Sequence, residues 1–260
     1  MYTKQDLKNM IKEMGIASTD TLFIHSSMKA IGEVLGGADT VLDSFMEYLE
    51  NGLLILPTHT WGSMSETHNV YDPNKEPACV GLLPNLFMKR EGVVRSLHPT
   101  HSVAAYGKDS MVYIKGEEEV TTPCAVGGCY DRLRERNAKI LLLGVNHNRN
   151  TFIHCVEEIL EVPERLTEKP VLFKIVMPDG SLKESYVYRH YNRTTPHISE
   201  AYTKLEQAFY DNNVAKQVKF GDATCILCDA NGIFEVTKKV LSHQINCLME
   251  LDEIPKEWWE

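Results

Sequence analysis

The clearest hydrophobic pattern of the chain lies between Ile140 and Glu161. An unbroken apolar run, 140–143, ends at Gly144 and is typical of a strand that is covered on both faces. A polar loop follows. From Thr151, whose hydroxyl suits a helix N-cap, apolar positions recur with the period of an α-helix. The sequence therefore predicts a buried strand, a loop and an amphipathic helix in succession.

A titratable pair lies beside the apolar stripe of this predicted helix, where His154 is close to Glu157 and Glu158. A histidine three residues before a glutamate is within reach of the carboxylate, which can hold one ring nitrogen while the other accepts a proton. The pair follows a buried strand, where open α/β sheets bind their ligands. A solvated helix face is the alternative, and periodicity does not choose between the two glutamates.

Further elements are predicted by the same alternation of apolar and polar segments. Strands are expected at 20–25, 53–56, 103–106 and 225–228, a hairpin at 171–188, and helices at 3–14, 39–50, 81–89, 199–209 and 232–248. Residues 62–76 are expected to form a long loop. Since no repeat or linker divides the chain, we expect one domain over residues 1–260.

Small and polar residues follow the first predicted strand, in the segment that begins at Ser26 and contains Gly32, Gly36 and Gly37. Free backbone N–H groups at such a turn, together with a helix N-terminus, suit an anion. The segment is neither a Walker A motif nor GxGxxG, and an ordinary strand-to-helix loop is an equal alternative. The segment 95–102, with an arginine, two histidines and hydroxyls, is either a binding loop or a brace for the backbone.

Composition narrows the function classes. The net charge of −9 argues against a nucleic-acid partner and is compatible with a cationic small molecule. Apolar runs are too short to cross a bilayer and the N-terminus resembles an amphipathic helix, so we expect no membrane partner and a cytoplasmic protein. Seven scattered cysteines fit a reducing compartment. The single CxxC, Cys225 to Cys228, falls in a predicted strand, and we expect buried thiols and no metal.

Six short motifs in a fixed order make the pattern specific. They are HSSMKAIGEVLGG (25–37), LPT (56–58), YDP (71–73), RSLHPTHSVAAYG (95–107), ILLLGV (140–145) and TFIHCVEE (151–158). In this order and spacing the chain resembles the aminoglycoside 3-N-acetyltransferase family over nearly its full length. The resemblance implies an α/β fold with a mixed, largely parallel central sheet flanked by helices.

The resemblance also implies an activity, the transfer of an acetyl group from acetyl-coenzyme A to the 3-amino group of an aminocyclitol antibiotic. In the family pattern the TxxHxxE segment supplies the catalytic pair, which matches His154 and Glu157. The residues expected to bind coenzyme A are His25, Ser26, Ser27, Met28, Arg95, Ser96 and Ser102. The residues expected on the acceptor side are Asp72, Thr151 and His190, the last with a surface histidine as its alternative.

Several alternatives stay open. The acceptor can be another amino sugar or a biosynthetic amine, with 62–78 and 189–200 as the loops that choose it, or the protein can bind coenzyme A without catalysis. Cys155 adjoins His154 but points to another side of a helix. The family pattern differs at 128–129, where many relatives carry Ser-Pro. The C-terminal Trp258-Trp259 tail packs either on its own chain or on a partner, which would make a homodimer.

Overall fold

The computed structural model of the protein describes residues 1–195 and 197–260. Its strands are β1 (Thr21–Ser26), β2 (Leu53–Pro57), β3 (Val70–Tyr71), β4 (Val94–Arg95), β5 (Val103–Gly107), β6 (Lys139–Leu143), β7 (Val171–Val176), β8 (Leu182–Val187), β9 (Ala215–Phe220) and β10 (Ala223–Asp229). Its α-helices are α1 (Lys4–Glu13), α2 (Gly37–Tyr48), α3 (Leu82–Phe87), α4 (Ser110–Ile114), α5 (Cys129–Glu135), α6 (Thr151–Ile159), α7 (Glu206–Asp211), α8 (Ala230–His243) and α9 (Cys247–Glu250). Four 3₁₀ segments in these ranges cover Met28–Ile31, His147–Arg149, Ile198–Leu205 and Lys256–Trp258.

A seven-stranded sheet forms the centre, in the order β4-β5-β2-β1-β6-β10-β9. The central strand β1 pairs in parallel with β2 and β6, whereas the outer pairs are antiparallel. Because β4 and β9 lie two antiparallel steps out, they run in the direction of β1, and β5 and β10 oppose it. The predicted mixed α/β sheet is confirmed, with parallel pairing confined to its centre.

Both faces of the sheet are covered, which explains the continuous apolar run of β6. Ile140 and Leu142 join the core beneath α5, α6 and α8. Leu141 and Leu143 point to the opposite side and join the core beneath α1 and α2. Since successive side chains of a strand alternate between faces, a strand covered twice needs apolar residues at every position.

A small second sheet has the order β3-β7-β8. Its antiparallel pair β7-β8 is the predicted hairpin, and β3 adds to it in parallel from within the expected long loop. Met64, Tyr71 and Phe173 are buried in its separate core.

Other expectations of local structure are confirmed, with changes at the ends of helices. The helix predicted at 3–14 is α1, which begins with a capping box between Thr3 and Asp6. The segment expected as one helix at 199–209 is a 3₁₀ turn followed by α7. The C-terminal tail packs on its own chain, since Trp259 is buried and its indole N–H donates to Asp211. Across the two described ranges, every helix falls short of the length and apolarity that a bilayer crossing needs.

Candidate active site

A cavity of about 530 Å³ opens where β1, β2 and β6 end. The end of each of these strands, or the chain just beyond it, contributes to the wall: β1 through His25 and Ser26, β2 through Pro57 and His59, and β6 through Val145. The N-terminal turns of α6 complete it with Thr151 and His154. The site therefore lies at the carboxyl edge of the parallel strands, as the pattern of the sequence predicts.

Among residues 1–195 and 197–260, the His154 ring has a hydrogen-bond partner at one nitrogen only. Its Nδ1 lies 2.5 Å from the hydroxyl oxygen of Tyr202, and that hydroxyl donates a hydrogen bond to Oε2 of Glu157. Because the single phenol proton is used on Glu157, Nδ1–H of His154 is the donor to Tyr202. Nε2 is then the unprotonated nitrogen, on a side chain that lines the cavity. This tautomer can accept a proton from a bound molecule.

The structure corrects the direct contact expected between His154 and Glu157. Nδ1 and Oε2 are 3.7 Å apart, which is too long for a hydrogen bond, and Tyr202 bridges the two groups. On its other side Glu157 accepts a hydrogen bond of 2.7 Å from Nε of Arg165. The guanidinium is itself fixed by the side-chain oxygen of Asn246 at 2.8 Å. A buried chain of four groups thus orients the imidazole.

Burial determines the charge states of this chain. It lowers the pKa of His154 to about 4, an effect to which the neighbouring His190 adds. Burial acts to raise the pKa of Glu157, but the His154 ring and the Arg165 charge outweigh it and bring the pKa below its usual value. At neutral pH the site therefore pairs a neutral imidazole with an ionised carboxylate.

A second histidine–glutamate pair lies directly beside the first. Nε2 of His190 is 3.0 Å from Oε1 of Glu158, and the rings of His190 and His154 stack with centroids 4.0 Å apart. The two glutamates that periodicity could not separate thus hold one histidine each. The series continues along the wall, since His101 contacts His190 edge-on and His59 in turn contacts His101.

One group of ligand atoms has the spacing of a metal site. Cys124, Glu158 and His190 each place one such atom within 4.8 Å of the others. Burial raises the pKa of the Cys124 thiol well above its usual value, and Glu158 is hydrogen-bonded by the backbone N–H of Cys124 and by His190. These contacts favour a hydrogen-bonded cluster with a protonated thiol over metal ligation.

Comparison with known proteins identifies the family of the chain. The model of the family described as aminoglycoside 3-N-acetyltransferase matches residues 23–242. The chain belongs to this family. The predicted resemblance and the prediction of an acetyltransferase enzyme are thereby confirmed.

Relatives and solved structures of this family extend over most of the chain. An SPbeta prophage-derived aminoglycoside N(3')-acetyltransferase-like protein of Bacillus subtilis (strain 168), YokD, is 24% identical, with 86% of this chain and 87% of the relative covered. A structure of AAC-IIIb with coenzyme A superposes with a TM-score of 0.82 at 19% identity, covering 94% and 97% of the two chains. AAC-VIa bound to sisomicin gives 0.77 at 19% identity, covering 94% and 98%.

Some of the residues predicted to bind coenzyme A line the cavity. His25 and Ser26 are in the wall, and Nε2 of His25 accepts a hydrogen bond of 3.3 Å from the backbone N–H of Thr151. Ser27 and Met28 form the turn that follows β1, where the N–H of Ser27 donates to the carbonyl of Leu143. They belong to the scaffold that joins the ends of β1 and β6.

Gly144 determines how closely these two strand ends approach. Its φ of +65° is in the left-handed region, and a Cβ built there would lie 2.3 Å from Cβ of Ala30. Only a residue without a side chain fits this contact without displacing the backbone. The turn after β1 and the loop after β6 are therefore in direct contact behind the cavity.

In the segment 95–102, expected as either a binding loop or a backbone brace, the three residues predicted to bind coenzyme A brace the backbone, whereas His101 lines the cavity. The Arg95 guanidinium donates to the carbonyls of Thr58, Pro73 and Glu76. Ser102 Oγ donates to the Thr58 carbonyl, and Ser96 Oγ accepts from the N–H of Val103. Arg95, Ser96 and Ser102 are absent from the described lining of the cavity, so their position gives no support to coenzyme A binding.

The three residues predicted on the acceptor side are also divided between the cavity and the rest of the surface. Thr151 and His190 line the cavity. Asp72 lies in a surface turn, where it accepts a hydrogen bond from the N–H of Asn74 and pairs with Lys75. Asp72 is absent from the described lining of the cavity. It directly follows β3, which belongs to the second sheet.

Sequence reasoning missed several residues that the geometry brings to the site, including Arg149 of the cavity lining. Tyr202 and Arg165 complete the chain behind His154, and Trp61 and Arg189 line the cavity. Tyr202 falls on the apolar side of an amphipathic segment and is indistinguishable there from a core aromatic residue. Arg165 lies beyond the end of α6, where helical spacing gives no information.

Cys155, which adjoins His154 and is the alternative candidate for a catalytic side chain, does not line the cavity. Cys155 is fully buried in the core on the far side of α6, and burial raises its thiol pKa well above the usual value. A protonated thiol without access to ligand is a poor nucleophile. The buried thiols expected at Cys225 and Cys228 are also observed.

Proposed function

We propose that this protein transfers the acetyl group of acetyl-coenzyme A to an amine of a small molecule, with His154 as the general base. The observation that carries the proposal is the orientation of His154, whose Nδ1 is fixed by Tyr202 while Nε2 is left free on a cavity wall. The coenzyme A bound to AAC-IIIb and the sisomicin bound to AAC-VIa support this pair of substrates.

The first step is deprotonation of the attacking amine. Nε2 of His154 takes the proton as the amine nitrogen forms a bond to the thioester carbonyl carbon, and the carbonyl π electrons move to oxygen. The imidazolium that results is stabilised by the ionised Glu157 through the Tyr202 hydroxyl. A base placed in this way contributes roughly a hundred- to ten-thousand-fold to the rate.

The second step is collapse of the tetrahedral adduct. The oxyanion re-forms the carbonyl, the carbon–sulfur bond breaks, and coenzyme A leaves as the thiolate. The proton held by His154 passes to this thiolate, which returns the ring to its neutral form and balances the reaction. His154 is therefore base and then acid in one turnover.

The walls near His25 and Ser26 suit the donor side. They form the carboxyl end of β1, where the Ser26 hydroxyl and the neighbouring Arg149 offer polar contacts to an anionic coenzyme. The burial of Cys155 supports direct transfer without an acyl-enzyme, since the thiol has no path to the thioester.

The first candidate acceptor is the 3-amino group of an aminoglycoside. Another amino sugar or a biosynthetic amine is the second candidate, and the charged groups of the cavity favour it. Both candidates use the same base and the same donor.

The proposal is tested by thiol release from acetyl-coenzyme A in the presence of amines. We expect release that depends on the amine, with N-acetylated product detected by mass spectrometry. Binding of coenzyme A without amine-dependent release over a broad panel of aminoglycosides and amino sugars would favour a non-catalytic binding protein and overturn the proposal.

A further inference from the structure

The charged side chains around the cavity are of one sign. Among the described residues that line it, those with a permanent charge are Arg149 and Arg189, and none is an aspartate or a glutamate. The chain as a whole carries a net charge of −9. The positive lining is therefore a local property of the site and opposes the overall charge.

The carboxylates on neighbouring segments are engaged elsewhere. Glu157 is bound by Arg165 and Tyr202. Glu158 is bound by His190, and Glu76 by Ser63 and His68. None of the three belongs to the described lining, and the second oxygen of Glu158, which has no described partner, is buried beside a separate pocket. An ammonium group of a bound molecule therefore meets no carboxylate in the described lining.

Histidines add no negative charge to the cavity, and burial keeps His25, His59, His101 and His154 neutral. Burial lowers the pKa of His25 to about 3, with the positive charge of Arg149 as the next cause. Burial likewise holds the pKa of His59 and of His101 well below the usual value. An acceptor with several ammonium groups would thus meet neutral rings and two guanidiniums in a partly dry site, where like charges repel strongly.

Arg149 and Arg189 lie on different sides of the cavity. Arg149 precedes α6 close to His25, on the side proposed for the donor. Arg189 is the neighbour of His190, whose ring stacks on the proposed base, and it donates to the carbonyl of Trp61 at 2.7 Å. Its remaining N–H groups have no hydrogen-bond partner within residues 1–195 and 197–260. Arg189 is therefore an anion-binding group available to the acceptor.

We propose that the acceptor amine belongs to a molecule that also carries a phosphate or a carboxylate, and that Arg189 binds this anionic group. The acceptor is then an amine with low net charge rather than a polycationic aminocyclitol. This inference rests on the proposed acetyl transfer. A guanidinium suits both anions, because its N–H groups match two oxygens of either one.

Three probes with the same ring test the inference. Glucosamine has the amine alone, glucosamine 6-phosphate adds a phosphate, and muramic acid adds a carboxylate; sisomicin represents the polycations. We expect at least one anionic sugar to exceed both glucosamine and sisomicin in kcat/KM by roughly tenfold or more, the effect of a charge-assisted contact. The phosphate and carboxylate probes separate the two anions.

The variant Arg189→Gln should remove most of this advantage, since it should lower kcat/KM for the favoured anionic sugar far more than for glucosamine or sisomicin. Arg193→Gln is the matched control, because this arginine is nearby in the chain, is exposed and pairs with Glu164 outside the cavity. Arg189→Lys keeps the positive charge and should retain part of the advantage. This result would show that the loss in Arg189→Gln is not caused by a folding defect.

Binding of the same probes by calorimetry separates this inference from the proposed reaction. Binding of an anionic sugar that depends on Arg189, without thiol release, would refute acetyl transfer and leave the acceptor class standing. Higher kcat/KM for sisomicin than for both anionic sugars, or binding that is unaffected in Arg189→Gln, would overturn the acceptor class and leave acetyl transfer intact.

Discussion

The rings of His154 and His190 stack face to face, with centroids 4.0 Å apart and planes inclined by 21°. Each ring is tied to its own carboxylate, Glu157 through Tyr202 and Glu158 directly, and these two glutamates are consecutive on α6. The stack holds the proposed base between a fixed neighbour and the cavity. The imidazole therefore has little freedom to turn Nε2 away from a bound amine.

Replacing the base is the first test of this arrangement. We expect His154→Ala to lower kcat at least a hundredfold while coenzyme A still binds, because the loss falls on proton transfer. His68→Ala, which removes a largely exposed histidine, is the control and should keep its rate. Near-normal turnover of His154→Ala would rule out the base assignment. Steady-state kinetics and calorimetry provide the two measurements.

The bridge between His154 and Glu157 is tested with Tyr202→Phe. Loss of the hydroxyl leaves Nδ1 and the carboxylate without their shared partner, so kcat should fall by about tenfold or more and stability by about 1–3 kcal/mol. Tyr113→Phe is the matched control, since its hydroxyl is also buried and donates to the Cys129 carbonyl at 2.7 Å. It should lose comparable stability with kcat unchanged. Equal kcat for both variants would show that Tyr202 only packs.

The counter-ion of Glu157 is tested with Arg165→Met. Because both groups are buried, the change leaves a charge without compensation, and we expect the free energy of unfolding to fall by about 3–5 kcal/mol. The double variant with Glu157→Gln should regain part of that loss. Arg193→Gln breaks an exposed pair and should change stability by less than about 1 kcal/mol. Urea denaturation measures all three, and a double variant no more stable than the single one would contradict the pairing.

The buried histidines predict a protein that loses stability in mild acid. Burial lowers the pKa of His25 to about 3 and of His98, His147 and His154 to about 4 each. Below the ordinary value of 6.5 the unfolded chain binds protons that the folded chain does not, so stability falls as the pH drops toward 4. Between pH 7.5 and 5.5 the four rings should together account for roughly 5 kcal/mol.

This pH dependence is measured by chemical denaturation at several pH values. The variant His147→Leu removes a ring outside the described cavity lining and should reduce the slope by about a sixth, because His59 and His101 contribute beside the four rings above. A free energy of unfolding that stays constant from pH 7.5 to 5.5 would show that these rings take up protons in the folded state.

The sequence predicted those features that depend on local periodicity. The strand at 140–143, the helix from Thr151 and the proximity of His154 to Glu157 all follow from spacing within one strand–loop–helix unit. Positions within such a unit are fixed by backbone geometry. The same reasoning placed the pair at the carboxyl edge of the sheet, where the cavity lies.

The features that sequence could not supply depend on contacts between distant segments. Tyr202 reaches His154 from 48 residues away, and His190 reaches Glu158 from 32. In contrast, Arg95 and Ser102 have the residue types of a binding loop yet donate to backbone carbonyls. A side chain type does not reveal whether its hydrogen bonds go to a ligand or to a loop.

The contact of Gly144 with Ala30 bears on the shape of the cavity wall. A methyl group at position 144 would wedge the turn after β1 away from the loop after β6. Because His25 and Ser26 precede that turn and Val145 follows Gly144, these wall residues would shift with the two segments. The shape of the wall thus depends on a glycine that is absent from the described lining of the cavity.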